Sequence, residues 1–183
     1  LGGIFISEEK KGLILVNTGE GKGKTTASLG MALRAWGQGM KVLVIQFIKG
    51  GWKYGELKAA EKLGPNFEIR QMGEGFIKKM DSKSLDEHQH AAREALESAR
   101  IEISFGKYDL IILDEVLYAI HYGLIALDDV LALLNQKPEH LHLVLTGRNA
   151  PPEIIERADT VTVMQEIKHP YRQGMPAQKG IEF

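Results

Sequence analysis

Cysteine is absent from this 183-residue sequence. Its absence excludes disulfides, thiolate zinc sites and a thiol nucleophile, and it fits a reducing compartment. An excess of either charge is missing as well: 23 Lys and Arg stand against 24 Asp and Glu, a formal net charge of −1. No global field therefore draws the chain to nucleic acid or to an anionic membrane, and neither is expected as a partner. No apolar run approaches the roughly 20 residues that span a bilayer. The opening Leu1-Gly2-Gly3-Ile4-Phe5-Ile6 is too short for the apolar part of a secretory signal and has no basic stretch ahead of it. Because the sequence opens on leucine and not methionine, trimming or residues ahead of Leu1 are expected. A cytoplasmic location is the default expectation. Repeats, low-complexity tracts and interdomain linkers are lacking too, so residues 1–183 are expected to form a single domain, with 1–12 a flexible N-terminal segment.

What is present is a core. The hydrophobic fraction of 44% is enough to fill an α/β domain of this length. Short apolar runs read as buried strands at Leu13-Ile14-Leu15-Val16, Val42-Leu43-Val44-Ile45 and Leu110-Ile111-Ile112-Leu113, with further strands at 67–72, 141–145 and 161–164. Helical composition or periodicity marks 27–36, 56–63, 84–104, 127–134 and 153–157, and Gly64-Pro65-Asn66 stops the second of these. Apolar strands alternating with helices predict a mostly parallel sheet with helices on both faces. Ligands of such a sheet sit beyond the carboxyl ends of its strands.

The run Thr18-Gly19-Glu20-Gly21-Lys22-Gly23-Lys24-Thr25-Thr26 follows the first strand and opens the first helix. Against G-x-x-x-x-G-K-[ST] it departs only at the first glycine, which is Thr18. A strand, a Gly-rich turn and a helix N-terminus make a cradle for phosphates. The glycines allow backbone N–H groups to turn inward, and the helix dipole adds partial positive charge. Lys24 supplies a mobile cation and Thr25 a hydroxyl for Mg²⁺. Residues 18–26 are thus the candidate ATP-binding loop.

Three further segments should meet this loop: Lys49 to Gly55, Asp114-Glu115 and Thr146-Gly147-Arg148. Asp114 and Glu115 end an apolar strand, where a phosphate-binding domain keeps its Mg²⁺ carboxylate; Asp114 could instead cap the following segment. Arg148 could donate its N–H fork to phosphate oxygens, or form a surface salt bridge. Trp52, Tyr54 and Phe76 lie in or near Gly-rich loops and suit either a flat apolar partner or a core edge. His88, His90, His121, His140 and His142 make no convincing metal set, and His169, Arg172 and Lys179 read as a solvated basic face.

Together these residues resemble the ATP:corrinoid adenosyltransferases of the CobA/CobO type, from about Leu13 to Phe183. The resemblance rests on the loop at 18–26, Gln46-Phe47-Ile48-Lys49-Gly50, Gly75-Phe76, Leu113-Asp114-Glu115 and Thr146-Gly147-Arg148. The tail adds Lys168-His169-Pro170, Gly174, Ala177-Gln178 and Gly180-Ile181. A phosphate loop alone covers many activities; the 46–50 block with this tail is far more specific. The resemblance implies a RecA-like P-loop fold with residues 165–183 packing near the active site. It also implies transfer of the 5′-deoxyadenosyl group of ATP to a Co(I) corrinoid, with release of triphosphate. Catalytic roles fall on Lys24, Thr25 and Glu115, metal binding on Thr25, Glu115 and Asp114, and corrinoid contact on Phe76 and Trp52. Mg²⁺, a flavin-dependent reductant and a homodimer are implied as well. Some members carry asparagine at Glu20 and tryptophan at Lys78. The rival readings are a RecA-like ATPase or nucleotide kinase, and a nucleotide switch of the partitioning-ATPase type. The switch proteins typically carry lysine at the loop's second position, which is Gly19 here.

Overall fold

Apolar strands with no polar face must be covered on both sides, and this requirement shapes the molecule. The computed structural model describes residues 11–51, 54–75 and 82–182. The strands are β1 (Ile14–Thr18), β2 (Val42–Gln46), β3 (Phe67–Gln71), β4 (Leu110–Asp114), β5 (His142–Thr146) and β6 (Thr160–Val163). They form one sheet in the order β3-β2-β4-β5-β1-β6, and every pairing is parallel. The sheet is therefore wholly, not mostly, parallel.

The helices are α1 (Lys24–Gly37), α2 (Gly55–Leu63), α3 (Ser82–Phe105), α4 (Val116–His121), α5 (Leu127–Asn135) and α6 (Pro152–Arg157). Alternate residues of each central strand serve opposite faces. Val42, Val44, Leu110 and Ile112 pack with Ala32 of α1 and Ala60 of α2. Leu43, Ile45, Ile111 and Leu113 pack with Ala92, Ala95 and Ala99 of α3, and with Leu117 of α4, Val130 of α5 and Ile154 of α6. β2 and β4 are buried along their whole length. Observed bounds differ from the sequence reading by up to three residues, most at the start of α1, and β2, β4 and β5 each run on into a polar residue: Gln46, Asp114 and Thr146. Their apolar stretches end one residue earlier, at the point where the site begins.

Strand order places the site. β5 lies between β1, which carries the phosphate loop, and β4, which carries the carboxylates. Gln46 lies opposite Asp114 in the β2–β4 register, and Asn17 lies opposite Thr146 in the β1–β5 register. The polar ends of four strands are thereby brought to one edge. No helix among the described residues is long and apolar enough to cross a membrane.

Candidate active site

The phosphate loop joins β1 to α1 through Gly23, in the left-handed region at φ 114°, and no side chain caps the helix. The first-turn N–H groups of α1 are those a helix leaves without internal partners, and they face the loop's concavity. The helix is fixed on its strand by Asn17 Nδ2, which donates to Ser28 Oγ at 2.8 Å, while Ser28 Oγ donates to the Lys24 carbonyl at 2.9 Å. Within the loop, Lys24 Nζ donates to the Gly19 and Gly21 carbonyls, each at 2.7 Å. Burial, then the nearby Arg148 guanidinium, lower the Lys24 pKa. This ammonium sits where an anion would meet it.

The segment after β6 decides why this loop needs glycine. Gly21 N donates to the Met164 carbonyl at 2.8 Å, and a Cβ on Gly21 would lie 2.6 Å from the Gln165 carbonyl carbon. The glycines thus serve close packing against another chain segment as well as the turn itself.

The carboxylate side is buried and crowded with donors. Asp114, with no solvent exposure, accepts from Thr25 Oγ1 and Thr146 Oγ1 at 2.8 Å on Oδ1. Its Oδ2 takes Gln46 Nε2 at 3.3 Å and faces Lys49 Nζ at 3.6 Å. Lys49 also bonds Glu56 Oε1 at 3.1 Å and lies over the Tyr54 ring at 5.0 Å. Burial pulls the Lys49 pKa down, but Asp114 and Glu56 outweigh it and the net shift is upward. Asp114 does not cap α4: the capping position is Glu115, and no side chain caps the helix there.

Glu115 is the contrasting carboxylate. It lies in the left-handed region at φ 63°, an uncommon place for a residue with a side chain. Its N–H donates to Thr146 Oγ1 at 2.8 Å. Its Oε2 is buried with no hydrogen-bond partner, as is Gln46 Oε1. Burial, and then the Asp114 charge, push its pKa up to about 7. Two orphaned buried oxygens beside the Thr25 hydroxyl and the Asp114 carboxylate form a hard-oxygen donor set, which fits Mg²⁺. Among the described residues, no group of three His, Cys, Asp or Glu side chains is placed to hold a metal by itself.

On the other side of the loop lies a cleft of about 600 Å³ lined by Thr18, Gly19, Glu20, Arg148, Met164 and Arg172, among others. Arg148 Nη1 donates to Glu20 Oε2 at 2.7 Å, both side chains exposed, so the pair is a surface salt bridge in the cleft lining. The negative charge of Glu20 is directed at Arg148, not into the loop. Lys22 Nζ turns out of the loop to Glu182 and the Ile181 carbonyl.

A family model described as ATP:corrinoid adenosyltransferase BtuR/CobO/CobP matches residues 10–183. The chain belongs to the ATP:corrinoid adenosyltransferase family. The corrinoid adenosyltransferase of Escherichia coli (strain K12) is 38% identical over 177 residues, covering 97% of this chain and 88% of that protein. The corrinoid adenosyltransferase of a Sinorhizobium species is 42% identical over 177 residues, covering 96% of this chain and 82% of that protein. Among solved structures, the RadB recombinase superposes with a TM-score of 0.50 at 14% identity, over 87% of this chain and 77% of that one. At that identity the likeness concerns the fold alone, and the fold of this adenosyltransferase-family chain is a RecA-like α/β P-loop fold.

Of the residues expected at the site, Thr25, Lys24, Asp114, Glu115 and the 18–26 loop come together at the strand ends. Arg148 reaches the same loop from the cleft side. Trp52, Phe76 and Lys78 lie outside the described residues. Sequence reasoning passed over Gln46, Lys49 and Thr146 as individual participants; Arg172, read as solvated surface, is 75% exposed and also lines the cleft. Gln46 and Thr146 carried a usable signal: each is a polar residue ending an apolar strand, and buried polar groups seek partners.

Proposed function

We propose that this chain transfers the 5′-deoxyadenosyl group of ATP to the cobalt of a Co(I) corrinoid and releases triphosphate. Family membership over nearly the whole chain supports this reading. The structural observation that carries it is the phosphate loop, with Lys24 inside it and Thr25 hydrogen-bonded to Asp114. The reaction needs a held leaving group and no protein nucleophile. The electron pair of the reduced metal in the substrate attacks the ribose 5′-carbon, and the carbon–oxygen bond breaks with its pair going to the triphosphate. Cobalt is formally oxidised from Co(I) to Co(III).

The protein's part is to bind, orient and stabilise. Lys24 and the N–H groups of the 18–26 loop, other than that of Gly21, which donates to Met164, hold the triphosphate, and their fixed charge and dipoles stabilise negative charge as it develops on the leaving oxygen. Two of the three Lys24 N–H donors are held by the Gly19 and Gly21 carbonyls, which leaves the third for a phosphate oxygen. Thr25 and Asp114, with Glu115 beside them, would hold Mg²⁺, which supplies neutralising charge to the triphosphate when bound. Thr146 and Gln46 orient Asp114, while Lys49 balances its charge. Arg148 can turn from Glu20 to an anionic ligand. Phe76 and Trp52 are the proposed corrinoid contacts. A single domain over 1–183 and a cytoplasmic location belong to the same reading and rest on the composition and organisation of the sequence, whereas a homodimer and a flavin-dependent reductant rest on the family.

The test is incubation with MgATP and a chemically reduced corrinoid, with both products identified. Adenosylcorrinoid and triphosphate in equal amounts are expected. Stoichiometric ADP with no cobalt–carbon bond would replace this reading with that of an ATPase or kinase, in which Glu115 would orient water or an acceptor hydroxyl.

A further inference from the structure

The last residues of the chain have little to hold them in place. From 165 to 181 nearly every residue is exposed, and Ile167, Tyr171 and Ile181 are 90%, 76% and 68% accessible. Apolar packing therefore does not position this stretch, and a small number of polar ties must. At its near end the chain leaves β6 along the phosphate loop, where Met164 N donates to the Thr18 carbonyl and Gly21 N to the Met164 carbonyl, both at 2.8 Å. At its far end a turn closes with Ile181 N and Glu182 N donating to the Gln178 carbonyl, at 3.1 and 2.8 Å. That turn returns to the same loop: Lys22 Nζ donates to Glu182 Oε1 at 2.6 Å and to the Ile181 carbonyl at 3.1 Å. Between the two ties runs a 3₁₀ turn over Pro170–Gln173, whose Arg172 bonds Glu166 at 2.8 Å; both residues line the cleft.

We propose that residues 165–182 form a strap tied at both ends to the phosphate loop, and that Lys22 and Glu182 are positioning residues that hold Arg172 in the wall of the nucleotide cleft. The inference rests on the nucleotide reading of that cleft. Lys22 differs from Lys24 in kind. Lys24 points into the loop and meets the phosphates, whereas Lys22 points out and acts through the strap. Ordering of the loop by nucleotide is thereby transmitted to the cleft wall, because the tie originates in the loop itself.

The test uses the full chain with Lys22→Met, Glu182→Gln and the double variant. Two readouts apply: amide hydrogen exchange over 165–182 without ligand, and MgATP binding by calorimetry. Each single variant should speed exchange at 178–182 several-fold. Each should weaken MgATP binding about two- to fivefold, the range for an exposed ion pair. The double variant should be no worse than Lys22→Met alone, since that variant already removes both Lys22 contacts to the strap, the Glu182 pair and the Ile181 carbonyl. Unchanged tail exchange in both singles overturns the strap. A loss of tenfold or more in Lys22→Met, with none in Glu182→Gln, also overturns it, because Lys22 would then be a direct phosphate ligand. A wild type that binds no MgATP while its tail exchange responds as expected would overturn the nucleotide reading of the cleft, not the tie.

Discussion

The two sides of the phosphate loop are built in opposite ways. Toward β4, a fully buried Asp114 is surrounded by Thr25, Thr146, Gln46 and Lys49, and its oxygens are fixed before any ligand arrives. Toward β6, the cleft is lined by exposed Arg148–Glu20 and Arg172–Glu166 pairs. A buried charge with several donors is costly to disturb, so that side is preorganised for catalysis. Exposed pairs exchange partners at little cost, so the other side can adapt to an incoming anion.

Four experiments would break or sharpen this contrast. Asp114→Ala should have the largest effect, lowering folding stability by about 4 kcal/mol, the scale for breaking a buried charge pair while leaving its donors unpaired. Urea unfolding measures it, and a loss below about 1 kcal/mol would show that the buried side is not the stiffer one. Lys24→Ala should slow transfer at least about a hundredfold, or about 2.7 kcal/mol in barrier, the scale of one preorganised donor. It should leave the unfolding transition intact, since Lys24 is half-buried at the site and outside the core; steady-state rates at low ATP would expose a misplaced phosphate site.

Glu115 makes the buried side sensitive to pH. Its folded pKa of about 7 lies above the unfolded value of about 4.3, so the folded protein holds the extra proton between them. The stability this provides is full below the unfolded pKa and is lost as pH rises through about 7. Glu115→Gln should therefore stabilise the nucleotide-free protein relative to wild type at pH 8 by up to about 3 kcal/mol. The gain should shrink toward pH 5. It should also raise the Mg²⁺ requirement for turnover. Parallel pH–stability curves for the two proteins would contradict the burial argument.

The smallest effects belong to the cleft. Arg148→Met and Glu20→Gln should each change stability by less than about 1 kcal/mol. Arg148→Met should weaken MgATP binding a few-fold, whereas Glu20→Gln should leave it equal or slightly tighter by freeing the guanidinium. Matching losses in both would mean that the salt bridge itself, and not the arginine, shapes the site.

How much of this was legible depends on whether the cause was local. The phosphate loop declared itself because a strand, a glycine-rich turn, a Lys-Thr pair and a helix follow one another along the chain, and Asp114-Glu115 were marked by the apolar run before them. Lys49 was hidden inside a loop, where nothing local says that its ammonium meets a buried aspartate. Arg172 looked like one of several scattered tail charges because its place in the cleft depends on contacts about 150 residues away, from the tail to the loop.

The sequence by itself determined the alternation of strands and helices, the apolar interiors of the central strands β2 and β4 and the phosphate cradle, since propensity, periodicity and glycine placement act over a few residues. Only the tertiary structure decided which polar residues share Asp114, because that depends on β5 lying between β1 and β4 and bringing Thr146 to the Asp114 carboxylate and the Glu115 N–H. It also decided that Gly21 packs against the segment after β6, that Glu20 faces Arg148, and that Lys22 reaches Glu182. Pairing across a sheet and across chain ends is set by the burial of the whole core, which no short window of sequence contains.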